Sequence, residues 1–188
     1  MRTLYFSFFL VFCFLQGSCV SLAPSPPKMT AKDPANLTRS EANFRADQVE
    51  NVRYDLQFDI TQKERFTGRV KIEFEVIKKG QGLRLDFFKG EVDSLKVNSE
   101  ATPVVYNGHY LWLSKDQIAE GSNRVVIEFS RNYAKDGSGL HEFIDPEDGR
   151  RYIYTNLQPF DANRVFPMFD QPDIKATYRM QVKAPKEW

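Results

Sequence analysis

The chain is poor in the residues that most often announce a chemistry. It has two cysteines and two histidines in 188 residues. Both cysteines, Cys13 and Cys19, sit in the N-terminal segment, so the body of the chain has none. That excludes a small disulfide scaffold and any C-x-x-C site. His141 opens "HEFID", but Asp145 stands where H-E-x-x-H needs its second histidine, and Pro146 follows at once. Two histidines one helical turn apart would be required to reach one zinc. The reading is therefore that this chain binds no metal, that His141 is an ordinary strand residue and that His109 lies on the surface beside a turn. No nucleophile elbow and no phosphate-binding glycine loop occurs, so no catalytic residue is assigned. The net charge is +1 without a long basic run, which excludes nucleic acid as a partner.

What is present suits one packed domain. Apolar residues make up 41% and aromatics 14% of the chain, enough to bury a core. The first residues are set apart. After Met1 and Arg2 comes "TLYFSFFLVFCFL", shorter than the about 20 residues that span a bilayer. Small residues follow, as in a secretory signal peptide. Residues 1–19 are read as that signal, which predicts export to the cell envelope or outside. Cys19, after "LQGS", resembles a loose bacterial lipoprotein signal and is the lipidation candidate. Lipidation would give membrane attachment, and ordinary cleavage nearby is the alternative. Residues 20–48, rich in proline, serine, alanine and charge, read as a disordered tether. Asn36 heads a glycosylation sequon within it.

From Val49 the pattern has period two. Tyr54, Leu56, Phe58 and Ile60 face one way, as do Phe66, Val70, Ile72, Phe74 and Val76 in the next strand. Further strands are read at Leu83–Phe88, Val92–Asn98, around Val126–Phe129 and from Ala176 to Lys183. Hairpins are expected at Asn107-Gly108 and Asp148-Gly149. No helix of consequence is expected. The class is all-β, an antiparallel bent sandwich.

One stretch escapes both periods: "YTNLQPFDANRVFPMFDQPDIKATY", Tyr154 to Tyr178. Pro159, Pro167 and Pro172 fix φ and keep the preceding residue out of helix. Asp161 is placed to cap a short turn. Asp170 is placed to accept backbone N–H groups and lock a loop. Such a rigid irregular segment is either a structural corner or a binding edge.

This stretch resembles the end of the N-terminal β domain in the aminopeptidase N-type zinc metallopeptidase family. The family pattern is roughly T-Q-x-E/Q-x-x-D-A-R-R/K-x-F-P-C-x-D-E-P-x-x-K-A-x-F/Y. Thr155, Gln158, Asp161, Ala162, Arg164, Phe166, Pro167, Asp170, Pro172, Lys175, Ala176 and Tyr178 match it. The departures are Asn156 for glutamine, Asn163 for a basic residue, Met168 for cysteine and Gln171 for glutamate. "YDLQFDI", "FTGRVKIEFEV" and "DGRRYIYTNL" agree with the same family, so the resemblance spans about 49–188 and implies a saddle-like β domain, here without its last strand or two.

The resemblance implies an enzyme that removes single residues from peptide N-termini. Zinc, held by H-E-x-x-H and a distant glutamate, would sit in a thermolysin-like catalytic domain that this stretch of chain does not include. By position, Gln158 would hold the substrate ammonium through its carbonyl oxygen. Asn156, one methylene short, would stand at the side-chain pocket. The expectation is a domain inactive by itself, with a catalytic partner in cis or, in a split enzyme, in trans. A stand-alone binding module is the alternative reading. An exposed apolar patch at Phe160, Phe166 and Phe169 would favour a docking partner over that alternative.

Overall fold

A computed structural model of the protein describes residues 37–78, 80 and 82–188. The signal segment, Cys19 and Asn36 lie outside the described residues. The order is α1 (Arg39–Ala46), β1 (Val49–Asp59), β2 (Arg65–Val76), β3 (Gly82–Asp86), β4 (Glu91–Val97), β5 (Glu100–Ala101), β6 (Tyr110–Ser114), β7 (Gly121–Asn132), β8 (Gly139–Ile144), β9 (Arg151–Asn156), a 3-10 turn η1 (Ala162–Arg164) and β10 (Ala176–Lys183).

The alternating strands do what their period dictates. β1, β2 and β7 form the middle of a six-stranded sheet ordered β10-β1-β2-β7-β4-β5. Leu56, Phe66, Val70, Ile72, Val125 and Ile127 on its inner face have no exposed surface. The charged alternates, Lys71 and Glu73 among them, form ion pairs on the outer face. Fully burying one such apolar side chain is worth about 1.5–3 kcal/mol. Gly68 lets β2 lie close under the Phe129 ring, since a Cβ there would fall 2.3 Å from Phe129 Cζ.

The second layer is smaller. β3 pairs with β6, and every residue of β3 is buried. Beside this pair the segment 165–169 fills the core, with Val165, Phe166, Met168 and Phe169 all buried. A separate hairpin, β8–β9, turns at Gly149 with φ +70°.

The all-β class stands, with three differences from the sequence reading. First, the sheet is not wholly antiparallel, because β10 pairs parallel to β1. A parallel neighbour needs a long crossover, and the rest of the domain supplies it. Second, the tether does not reach Gln48. Thr38 and Glu41 close a capping box, and α1 follows as a two-turn helix whose Arg45 is 3% exposed. Third, Asn107-Gly108 is not a tight hairpin. Only Gly108 has positive φ there, the Asn107 side chain accepts the His109 and Tyr110 N–H groups, and β6 pairs instead with β3.

Candidate functional site

The irregular stretch divides where η1 begins. Its second half is core. Phe166 packs edge-on to Tyr54 and Phe58, and Phe169 packs edge-on to Phe74 at 5.4 Å. Backbone bonds join Met168 to Asp86 in both directions, at 2.7 and 3.0 Å. The Tyr54 hydroxyl accepts the Phe169 N–H at 2.9 Å. Pro167 is buried, and Pro172 is exposed beyond the corner.

Asp86 is the centre of this half. Its carboxylate is 1% exposed and takes Arg45 Nη1 at 2.7 Å, Arg84 Nε at 2.6 Å and the Asp170 N–H at 3.2 Å. Arg45 in turn donates through Nε to Gln171 Oε1 at 2.9 Å, and Gln171 Nε2 donates to the Ala42 carbonyl at 2.8 Å. An amide both accepts and donates, where a carboxylate would only accept. That gives a physical use to Gln171 in place of the family's glutamate. The network clamps α1, β3 and the corner together.

The capping expectation for Asp161 is corrected. Its side chain makes no cap bond to η1 and instead lies 3.6 Å from Arg164 Nη1. Asp170 caps the turn from the far side, accepting the Asn163 N–H at 2.9 Å and Asn163 Nδ2 at 2.8 Å. Burial pushes the Asp170 carboxyl up from its ordinary value, against the pull of the Asn163 donors. Asn163 Nδ2 also donates to the Phe160 carbonyl at 3.1 Å, a use for the amide that replaces a basic residue. Arg164 crosses to Asp136 at 2.6 Å.

The first half faces out. Asn156 and Gln158 are both exposed. Asn156 Nδ2 donates to the Gly137 carbonyl at 3.0 Å, tying the end of β9 to the loop before β8. Gln158 lies in the turn closed by the Asp161 N–H on the Leu157 carbonyl at 3.1 Å, and its peptide bond to Pro159 is cis. No side-chain bond of Gln158 occurs among the described residues, so its amide is available to a ligand. His141 is a strand residue. Its Nδ1 accepts the Gly137 N–H at 2.9 Å and its ring lies 4.9 Å from that of Tyr154. His109 is half-buried rather than on the surface, with its ring 5.4 Å from Phe88.

Below this exposed turn the hairpin is held by charge. Glu142, 6% exposed, receives both Lys135 and Arg151. Burial disfavours its ionised form, yet the bonds from these two cations hold its carboxyl below the ordinary glutamate range.

The apolar patch that would have discriminated at Phe160, Phe166 and Phe169 is not formed, because the latter two are 5% and 1% exposed. Exposed apolar residues cluster elsewhere, among them Phe143, Ile144, Tyr152, Tyr154 and Leu157 on and just after the hairpin, and Tyr178, Met180 and Val182 on β10. Sequence reasoning missed Arg45, Asp86 and Glu142. The T-x-x-E box at Thr38 and an aspartate inside an apolar strand were the available signals. Among the described residues no group of three or more His, Cys, Asp or Glu could hold a metal ion. The arrangement can present an amide and an apolar face.

Known proteins share this organisation. The profile of the peptidase M1 N-terminal domain matches residues 50–188. Aminopeptidase N of Streptomyces lividans is 31% identical over 156 residues, covering 81% of this chain and 18% of that protein. Glutamyl aminopeptidase of Rattus norvegicus is 29% identical, covering 78% and 17%. The chain thus spans less than a fifth of the length of these relatives. Among solved structures, yeast LTA4 hydrolase superposes with a TM-score of 0.64 at 17% identity, over 86% of this chain and 27% of that one. An M1 zinc metallopeptidase of Deinococcus radiodurans gives 0.56 at 16% identity, over 73% and 33%. At those identities the structures speak for the fold.

Proposed function

Since the chain belongs to the peptidase M1 N-terminal domain family, we propose that it serves as the substrate-side wall of an exported zinc aminopeptidase, a partner to a catalytic domain and inactive by itself. The observation that carries this reading is the exposed, rigidly backed turn at Gln158, on the stretch that matches the family motif. The Asp86 network fixes the back of the corner, so the turn is held without help from the bound substrate. Gln158 would accept a hydrogen bond from the ammonium of a peptide N-terminus through its carbonyl oxygen. Asn156, already tied to Gly137, would border the side-chain pocket with less reach than a glutamine.

Zinc would belong to the catalytic domain. The described residues of this chain do not fit a zinc site, and no step of hydrolysis is assigned to them. The hairpin's apolar face, led by Tyr152, Tyr154 and Leu157, is the surface that a catalytic domain would cover. An unpartnered apolar face of this kind favours docking over a stand-alone module. For export, the support is the apolar N-terminal run, with Cys19 as the candidate lipid anchor.

The test is the size of the native protein in source cells, read with an antibody raised to residues 49–188. A band several times larger than 21.8 kDa is expected, with a catalytic domain in cis. A band at or just below that mass, with a second chain co-purifying, would mean a split enzyme. A band at that mass with no partner would overturn the docking reading. The purified 188-residue chain should release no N-terminal residues from peptides. Robust, chelator-sensitive release would refute inactivity.

A further inference from the structure

A pocket of about 430 Å³ opens between β7, the loop before β8 and η1. Lys89, Arg131, Lys135 and Arg164 line it, against only two carboxylates, Glu91 and Asp136. Both carboxylates are already engaged, Glu91 by Arg65 at 2.6 Å and Asp136 by Arg164 at 2.6 Å. Lys135 is engaged by Glu142. Arg131 is different. It is 8% exposed, and among the described residues its side chain has no hydrogen bond or ion pair.

A largely buried guanidinium that no carboxylate touches directly gains from an anion that bonds to it. Burial and the neighbouring Arg164 charge lower the Arg131 pKa to about 10, against the opposing pull of the Asp136 and Asp161 carboxylates. Gly139, at φ +72°, lets β8 start close beside these two arginines: a Cβ there would stand 2.9 Å from Arg164 Cβ and 3.6 Å from Arg131 Nη1. The planar guanidinium fork matches the two oxygens of a carboxylate or phosphate.

We propose that this pocket is an oxyanion site, with Arg131 as the buried anchor, Arg164 as the second wall and Lys89 as the exposed rim. The ligand is a carboxylate or phosphate group from solution. The inference rests on the geometry of this chain and holds whether or not the chain works as part of a peptidase.

The experiment is calorimetry and thermal unfolding on the full chain, with sodium phosphate in one arm and N-acetylglycine in the other. Sodium chloride at equal ionic strength is the control. Saturable one-to-one binding and a raised midpoint are expected in at least one arm, and none in the control. Phosphate alone, N-acetylglycine alone, or both would identify a phosphate, a carboxylate or a general oxyanion site. Arg131→Met should weaken binding by about tenfold or more, the loss of a charge-assisted bidentate pair. Arg131→Lys should fall between. If Arg131→Met does not fold, Lys89→Gln on the exposed rim should still weaken binding by about threefold. No response beyond the chloride control, or a folded Arg131→Met chain that binds as tightly as the parent, would overturn the assignment.

Discussion

The two halves of the Tyr154–Tyr178 stretch are neighbours in sequence and opposites in physics. The half after η1 is buried, aromatic and pinned to Asp86. The half before it is mostly exposed, tied at its base by Asn156 on Gly137 and by Glu142 on Lys135 and Arg151, and at its far end by Asn163 on the Phe160 carbonyl. The contrast separates two uses of rigidity. Buried residues set where the corner is, and exposed ones decide what it can touch. The turn at Gln158 need not contribute to stability, because its neighbours already do.

Breaking the buried half should have the largest effect. Asp86→Ala takes the buried carboxylate from Arg45 and one partner from Arg84, which costs about 3–5 kcal/mol. Chemical denaturation should show that loss, or a chain that no longer folds. Tyr54→Phe removes only the acceptor for the Phe169 N–H. Leaving that buried donor unpaired should cost about 1–3 kcal/mol, read as a lower denaturation midpoint at unchanged slope.

The exposed half should respond locally instead. Glu142→Gln should leave global stability nearly intact and speed amide exchange across β8 and β9 before any other pair of strands. Acid should act in the same place. The folded carboxyl of Glu142 is held low, so its contribution is complete above the ordinary glutamate value of about 4.3. It is lost as pH falls through the lower folded value. Asp170 has the opposite sign, because burial raises its carboxyl. Its ionisation therefore opposes folding as pH rises past the ordinary aspartate value of about 3.9, and protonation relieves that. Hydrogen exchange measured from pH 5 downward should show the hairpin loosening while the corner holds. The smallest effect is expected at Gln158→Ala, within about 0.5 kcal/mol of the parent. A larger loss would mean that the turn supports the fold and would weaken its assignment to substrate.

The sheet was legible because its signal is local. Tyr54, Leu56, Phe58 and Ile60 repeat every second residue, and burial on one face follows from that alone. The corner was legible only through its resemblance to a family, since Phe166 and Phe169 sit among polar residues with no period. The same lack of period left open whether they were covered or exposed. What stayed hidden was pairing at a distance. Nothing near Arg45 indicates Asp86, and an alternating strand does not reveal whether its neighbour runs parallel, as β10 does beside β1. The helix was overlooked for a different reason: a proline-rich neighbourhood masked the box formed by Thr38 and Glu41.

The parallel register of β1 and β10 has a consequence in time. Val52 pairs with Ala176 and Asp59 with Lys183, so the first strand made must wait for the last one described here. Ribosomes add about 5–20 residues per second. At that pace β1 keeps one hydrogen-bonding edge open for roughly 6–25 seconds after it is made. For most of that interval Phe166 and Phe169 are also absent from the core they fill. A nascent chain of this protein is thus an open-edged, half-filled sheet, the kind of species that aggregates or recruits a chaperone. That edge of β1 is covered only when β10 arrives.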